Sequence, residues 1–421
     1  MQSRFRKVLV LLGLAACVAL LATMACGSGD EPAPTVGPET GDPTRVADPT
    51  ATPTEESPPE PFVIGAMDAL TGVAESYGNP LHQAKLLAVE EINAAGGING
   101  RELRLIVEDS KCNAQAAITA YNKLTDVGGV KIILGTTCSG SMLGAAPLAE
   151  KEGVVLLSAS ATSPDIALAG DYIFRTAIND LRLGIDTGNT LWVDGSRKIA
   201  TITEATDYAE GTRRTSVEQF EKLGGEVVVA ESYSSEVLDF RSQLTKLLAE
   251  SPEALLLAAQ GEVSAGTIMR QARELGFEGP IYAESVASSP DALDIAGDAA
   301  TGLKAIVPNP DLSTTAGEDF LAKFESRFGV VATLPWFQGS AYDDVYIAAE
   351  CLRQTGDDQD ADGFRDCLYG LTWSGAIGDN YSFDENGEVV GLSNVVIEVL
   401  PTGERTEENL GYRVLGPAPS P

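Results

Sequence analysis

The sequence of 421 residues contains a single histidine, His82, and six cysteines. One imidazole excludes a histidine-rich metal centre and obliges any Ser-His-Asp triad to use that residue. Positive charge is also scarce: 29 Lys and Arg face 61 Asp and Glu, for a net charge of −32. That balance excludes nucleic acid as a partner, because phosphate contacts need clustered Lys and Arg to displace counterions. Aromatic residues make up only 6% of the chain, yet 44% is hydrophobic, enough to bury large cores and leave the surplus acid on solvated faces. The length exceeds that of one compact core and predicts two or more domains.

Arg4, Arg6 and Lys7 precede an apolar run from Val8 to Ala25 that closes on small residues and Cys26. The pattern resembles a bacterial lipoprotein signal, in which a cysteine after small residues is lipidated and becomes the new N-terminus. Leu14-Ala15-Ala16-Cys17 is the competing candidate and is closer to the usual motif, but Val18 to Ala22 after it is still apolar. Thr23-Met24-Ala25-Cys26 leads into polar Gly27-Ser28-Gly29-Asp30, as an anchor followed by solvated chain should. Residues 1–25 are therefore read as a signal segment and Cys26 as the lipid anchor. The alternative is an uncleaved transmembrane helix, for which the run is at the short end of the ~17 to 25 residues needed. Residues 27–61 hold nine prolines, eight acids and no aromatic residue. Such chain cannot bury enough surface to offset its ordering entropy and reads, with Cys26, as an extended stalk over 26–61.

From Phe62 onward, short apolar runs alternate with amphipathic stretches. Val63–Met67, Leu103–Val107, Lys131–Leu134 and Val154–Leu157 have the length of buried strands, and so do Ile199–Thr203, Val227–Ala230, Ala254–Ala258, Ile281–Ala283 and Leu303–Val307. Leu81, Ala84, Ala88, Ile92 and Ala95 are spaced as one helix face that stops at Gly96-Gly97. Strands alternating with helices imply an α/β fold with parallel sheets covered on both faces, and two series imply two such lobes. Ligands then bind in the loops beyond the C-terminal strand ends.

Those loops carry little catalytic machinery. Gly96-Gly97-Ile98-Asn99-Gly100 ends a helix and precedes a strand, the reverse of a phosphate loop. Thr137-Cys138-Ser139-Gly140-Ser141 lacks the first glycine of a nucleophile elbow. His82 reads as a surface or packing residue rather than a base. Asp358-Gln359-Asp360-Ala361-Asp362-Gly363 has the spacing of a calcium loop, but its twelfth position is Tyr369 rather than Glu. The segment Asp358–Asp366 therefore reads as an acidic loop in which an aspartate caps the next helix. No catalytic residue, metal or cofactor is expected. Hydroxyls, helix-start amides, acids and tyrosines remain, and these suit a small zwitterion.

Ile64-Gly65-Ala66-Met67, Ala88-Val89-Glu90-Glu91-Ile92-Asn93-Ala94-Ala95-Gly96-Gly97-Ile98-Asn99-Gly100, Gly135-Thr136-Thr137-Cys138-Ser139, Ser158-Ala159-Ser160-Ala161-Thr162-Ser163-Pro164 and Phe174-Arg175-Thr176 resemble the branched-chain amino-acid-binding proteins of ABC importers. The resemblance runs from Phe62 to the C-terminus. It implies a type I periplasmic binding protein, with two Rossmann-like lobes joined by three crossovers near Ala177, Pro308 and Leu392. Lobe 1 would comprise 62–177 plus 309–391, lobe 2 would comprise 178–308 plus 392–415, and 416–421 would be a tail. It further implies the disulfide Cys112–Cys138, in keeping with an exported chain, and with that pair set Cys351 and Cys367 are left to form a second one.

The same resemblance implies the ligand set. Ser139, by hydroxyl and N–H, and the Thr162 N–H would hold the carboxylate. The Ser160 carbonyl, the Thr162 hydroxyl and Glu284 would hold the α-ammonium, with Ala161 between them. Tyr77, Tyr208 and Tyr342 would line the pocket. Gln260 stands where the family often has tyrosine or glycine, which points to a ligand more polar than leucine, and Tyr208-Ala209-Glu210-Gly211 departs from the usual Tyr-Gly pair. The function implied is a monomeric, extracytoplasmic, lipid-anchored protein, not an enzyme, that captures a branched-chain or other neutral amino acid for an ABC permease and ATPase. The alternatives are the ligand-binding subunit of an extracytoplasmic sensor, or a binder of a related small polar solute.

Overall fold

The computed structural model describes residues 59–309, 312–330 and 332–420. The expected signal segment, both candidate lipidated cysteines and nearly all of the stalk lie outside the described residues. Among those described, no helix is long and apolar enough to cross a membrane.

The first sheet is built from β1 (Phe62–Asp68), β2 (Leu103–Asp109), β3 (Ile132–Gly135), β4 (Val155–Ser158) and β5 (Ile173–Arg175), in the order β2-β1-β3-β4-β5. All its pairs are parallel, with Ile64 opposite Leu105 and Leu134 opposite Leu157. Strands covered on both faces need near-continuous apolar runs, and β3 and β4 are buried throughout. The helices between them are α1 (Glu75–Ala94), α2 (Ala114–Asn122) and α3 (Ser139–Glu152). Helix α1 buries Tyr77, Leu81, Ala84, Ala88 and Ile92 as one stripe. It ends at Gly96-Gly97, where a Cβ on Gly97, at φ +74°, would lie 2.1 Å from the Arg101 carbonyl oxygen. Only glycine fits there.

The second series runs α4 (Asp180–Val193), β6 (Lys198–Glu204), α5 (Asp207–Lys222), β7 (Glu226–Tyr233), α6 (Arg241–Ala249), β8 (Ala254–Ala258), α7 (Glu262–Glu274), β9 (Ile281–Glu284), α8 (Pro290–Ala296) and β10 (Lys304–Asn309). Helices α9 (Thr315–Phe328), α10 (Pro335–Thr355) and α11 (Ala361–Gly370) follow, and α10 packs against α1 beside the first sheet. A small antiparallel sheet of β11 (Thr372–Gly375), β12 (Gly378–Phe383) and β13 (Val389–Val390) leads to β14 (Ser393–Val399) and β15 (Tyr412–Pro417). The second sheet has the order β15-β14-β10-β9-β8-β6-β7.

The sequence pattern predicts a parallel sheet here, but this sheet is mixed. Strand β14 lies antiparallel on β10, with Ser393 opposite Asn309, and β15 is antiparallel on β14. The reason is topological. The chain leaves the second sheet at the end of β10 and re-enters it beside that point at the start of β14, so the two strands must run in opposite directions.

Two disulfides brace the first lobe: Cys112–Cys138, with Cα atoms 5.2 Å apart, and Cys351–Cys367, at 5.7 Å. The acidic loop behaves as cap and clasp. Asp360 accepts from the Gly363 N–H at 2.9 Å at the start of α11, Asp358 accepts from the Val63 N–H at 2.6 Å, and Asp362 takes the Tyr172 hydroxyl. Their carboxylates are directed to separate partners.

Candidate functional site

Between the two sheets lies a small cavity of about 10 Å³. Tyr77, Thr137, Cys138, Ser139 and Ser160 supply one wall, Tyr208, Gln260 and Val286 the other, and Phe337 a side. Its volume suits about one water molecule, so an amino acid enters only with the walls apart.

The first wall is a set of strand-end loops held by hydrogen bonds. Ser139 opens α3, and Cys138 before it gives no side-chain cap, which leaves the first-turn N–H groups without that partner. Such a helix start favours a carboxylate without any arginine. The Ser163 N–H donates to Ser139 Oγ at 3.1 Å, and Ser160 Oγ donates to the Thr137 carbonyl at 2.9 Å. Behind them Arg175 is fully buried and donates from one guanidinium nitrogen to the Ala161 and Ser163 carbonyls, at 3.0 and 2.8 Å. Its remaining donors reach both oxygens of Glu388, at 2.8 and 2.7 Å. The residue that ends β5 therefore fixes the aim of the loop carrying Ser160, Ala161 and Thr162.

On the opposite side Glu284 ends β9 and is buried. Its Oε1 accepts from Thr187 Oγ1 at 3.1 Å, whereas Oε2 has no partner. Burial, and then the like charges of Asp180 and Asp186, push its carboxyl well above the ordinary range. The Thr162 hydroxyl is buried beside the Asp180 carboxyl and, among the described residues, makes no hydrogen bond of good geometry. Tyr208 feels burial first and then Asp180, Glu284 and Tyr77, which raise its phenol well above 10. Across the cavity, Gln260 Nε2 donates to the Tyr77 hydroxyl. Two glycines permit the close approach: a Cβ on Gly211 of α5 would fall 2.9 Å from Pro164 Cδ, and one on Gly140 would fall 2.7 Å from Asp207 Oδ2.

Tyr77, Ser139, Ser160, Tyr208 and Gln260 thus line the cavity, and Ala161, Thr162 and Glu284 do not. Tyr342 is elsewhere. It packs on Phe320, with ring centroids 5.0 Å apart, and its hydroxyl donates to Glu91 of α1, so it is a packing residue and not a cavity wall. The family resemblance places Tyr342 at the pocket, but its phase on α10 turns that side chain toward α1 and α9. Phe337, five residues earlier, takes the wall instead. Its adjacency to Trp336 at the helix start was the available signal.

Several buried carboxyls make the empty protein pH-sensitive. Burial raises Asp180 and Asp343 to about 6 and Asp344 to about 7. A carboxyl whose folded pKa exceeds its unfolded value stabilises the fold below the unfolded value, near 4, and that contribution is lost as pH rises through the folded value. The melting temperature of the ligand-free protein is therefore expected to climb as pH is lowered from 8 to 5. A flat or falling profile by calorimetry over that range would contradict this arrangement.

Two α/β lobes, crossed by the chain after β5, after β10 and before β14, with strand-end loops facing one another over a cavity, define a two-lobed solute-binding protein. A sequence profile of the periplasmic binding protein family matches residues 61–396, and the chain belongs to that family. Among its relatives is the leucine-, isoleucine-, valine-, threonine- and alanine-binding protein of Pseudomonas aeruginosa, 29% identical over 82% of this chain and 91% of the relative. The Leu/Ile/Val-binding protein of Escherichia coli K12 is 28% identical over 59% of this chain and 68% of its own. In structure, the chain is similar to the branched-chain amino acid transporter substrate-binding protein LivJ of Streptococcus pneumoniae in complex with isoleucine, with a TM-score of 0.73, 25% identity and coverage of 85% and 100%. The fold is shared too with a solute-binding protein of R. palustris in complex with benzoate, at TM-score 0.75, 18% identity and coverage of 85% and 96%.

Proposed function

We propose that this protein captures a free α-amino acid between its lobes outside the cytoplasm and delivers it to an ABC importer. One arrangement carries the reading: the uncapped start of α3 at Ser139 lines one wall of the cavity, and Glu284, with a carboxyl oxygen unpaired among the described residues, ends β9 two residues before Val286 of the opposite wall. A carboxylate and an ammonium on one small molecule satisfy both. The amino-acid-binding relatives support the same ligand class. Isothermal titration of the full chain with the twenty amino acids tests it. One of them is expected to bind at micromolar affinity or better, and failure of all twenty would refute the proposal.

Cys26 would carry the acyl chains that hold the protein at the membrane. More than one chain is needed for stable anchoring. Cys26→Ala is expected to move the protein from the membrane to the soluble fraction or to stall processing, and Cys17→Ala to leave it on the membrane. The reverse pattern would move the anchor to Cys17.

A further inference from the structure

Tyr77 and Gln260 line the closed cavity, while their chain neighbours Ser76 and Gly261 line a second, larger pocket of about 450 Å³. Its walls come from both lobes: Gly72, Val73, Glu75 and Ser76 on one side, and Glu204, Glu262 and neighbouring residues on the other. Three carboxylates line it and no Lys, Arg or His does.

The state of these acids separates them. Glu75 is on the surface. Glu204 is 1% exposed and committed to the fold: its Oε2 accepts from the Gln260 and Gly261 N–H groups at 2.9 and 3.0 Å and from Ser264 Oγ at 3.2 Å. Glu262 is only 5% exposed, and among the described residues its Oε2 makes no hydrogen bond of good geometry, the Ser76 and Ser289 hydroxyls being its nearest polar contacts. Ser76 and Ser289 lie near its carboxyl, and Asp291 adds a second negative charge. Among the described residues it forms no ion pair. A buried carboxylate that is neither paired nor fully hydrogen-bonded costs stability, and a positive charge brought to it recovers that cost. Tyr77 and Gln260, which line the small cavity next in the chain to Ser76 and Gly261 of the larger pocket, are joined by a side-chain hydrogen bond that crosses the lobes. A ligand chain passing between them would replace that contact.

We infer that the pocket around Glu262 is a second subsite of the cleft, which takes a positively charged group at the far end of the ligand's side chain. The ligand class is then an α-amino acid with a terminal ammonium or guanidinium. Its α-carboxylate would sit at Ser139, its α-ammonium at Glu284, and its distal cation beside Glu262 after passing Tyr77 and Gln260. This rests on the amino-acid reading above and departs from the neutral ligand that the sequence resemblance implies. The aliphatic stretch between the charges suits the apolar ring faces of Tyr77 and Phe337.

The test is isothermal titration of the full chain with L-lysine, L-ornithine, L-arginine, L-norleucine, L-leucine and putrescine, repeated on Glu262→Gln and Glu262→Asp. One of the basic amino acids is expected to bind at least tenfold tighter than norleucine, which lacks only the charged end. Glu262→Gln is expected to collapse that ratio toward one, and Glu262→Asp, which keeps the charge, to retain part of it. Because the ratio is taken within each variant, a general loss of stability does not imitate the result. Norleucine or leucine binding as tightly as every basic amino acid would overturn the inference and leave the amino-acid reading standing. Putrescine bound in a Glu262-dependent way, with no amino acid bound, would support the subsite and overturn that reading instead. Binding of none of the six would overturn the inference.

Discussion

Arg175→Ala is expected to lower folding stability by about 3 to 5 kcal/mol, the cost of removing one partner of a buried ion pair. The guanidinium is fully buried, and its loss leaves Glu388 without its bidentate partner and the Ala161 and Ser163 carbonyls without their donor. Ligand affinity should fall by more than tenfold as well, because those carbonyls belong to the loop that presents Ser160 and Thr162. Arg175→Lys keeps the charge but not the planar fork, and should fall between wild type and Arg175→Ala. Denaturant unfolding and titration of the two variants check this. A midpoint for Arg175→Ala within the error of wild type would show that the pair contributes nothing net.

The second large effect is on binding alone. Glu284→Gln keeps the shape of the side chain and removes the charge, and leaving a buried ammonium unpaired costs roughly 2 to 5 kcal/mol. At the lower bound this is about a thirtyfold loss of amino-acid affinity. The empty protein should melt at nearly the same temperature or slightly higher, since Glu284 there is a buried acid crowded by Asp180 and Asp186 and has one oxygen unpaired. The charge also gives a pH signature. Burial favours the protonated acid and an ammonium requires the carboxylate, so binding should release a proton and tighten as pH rises. Unaltered affinity in Glu284→Gln would exclude an ammonium at this position and favour a ligand without one.

Much of the site was legible because it depends on local order. Ser139 follows a strand and opens a helix, which places its hydroxyl and the first-turn amides at a sheet's C-terminal edge whatever lies opposite. Ser160, Tyr77 and Tyr208 were named through the family resemblance rather than from local order. Tyr342 was misplaced because a matching motif position gives no azimuth: Phe337 and Tyr342 lie on one helix, and only its packing on α1 and α9 decides which one turns to the cavity. Arg175 was visible within Phe174-Arg175-Thr176 but its task was not, since Glu388 is 213 residues away. Glu262 had no sequence signal at all. An acid at the first turn of a helix ordinarily complements the helix dipole, and nothing local distinguishes one that is buried and unpaired.

By itself the sequence determined the alternation of strand and helix, the division into two series, and the shortage of cationic side chains that leaves helix-start amides to hold an anion. Period and composition act over a few residues, so they survive without knowledge of the partner surface. The tertiary structure alone decided the antiparallel return of β14 beside β10, the burial of Arg175 against Glu388, and the burial of Glu284 and Glu262. Each joins segments far apart in the chain, and the energy of a buried charge depends on what surrounds it in space.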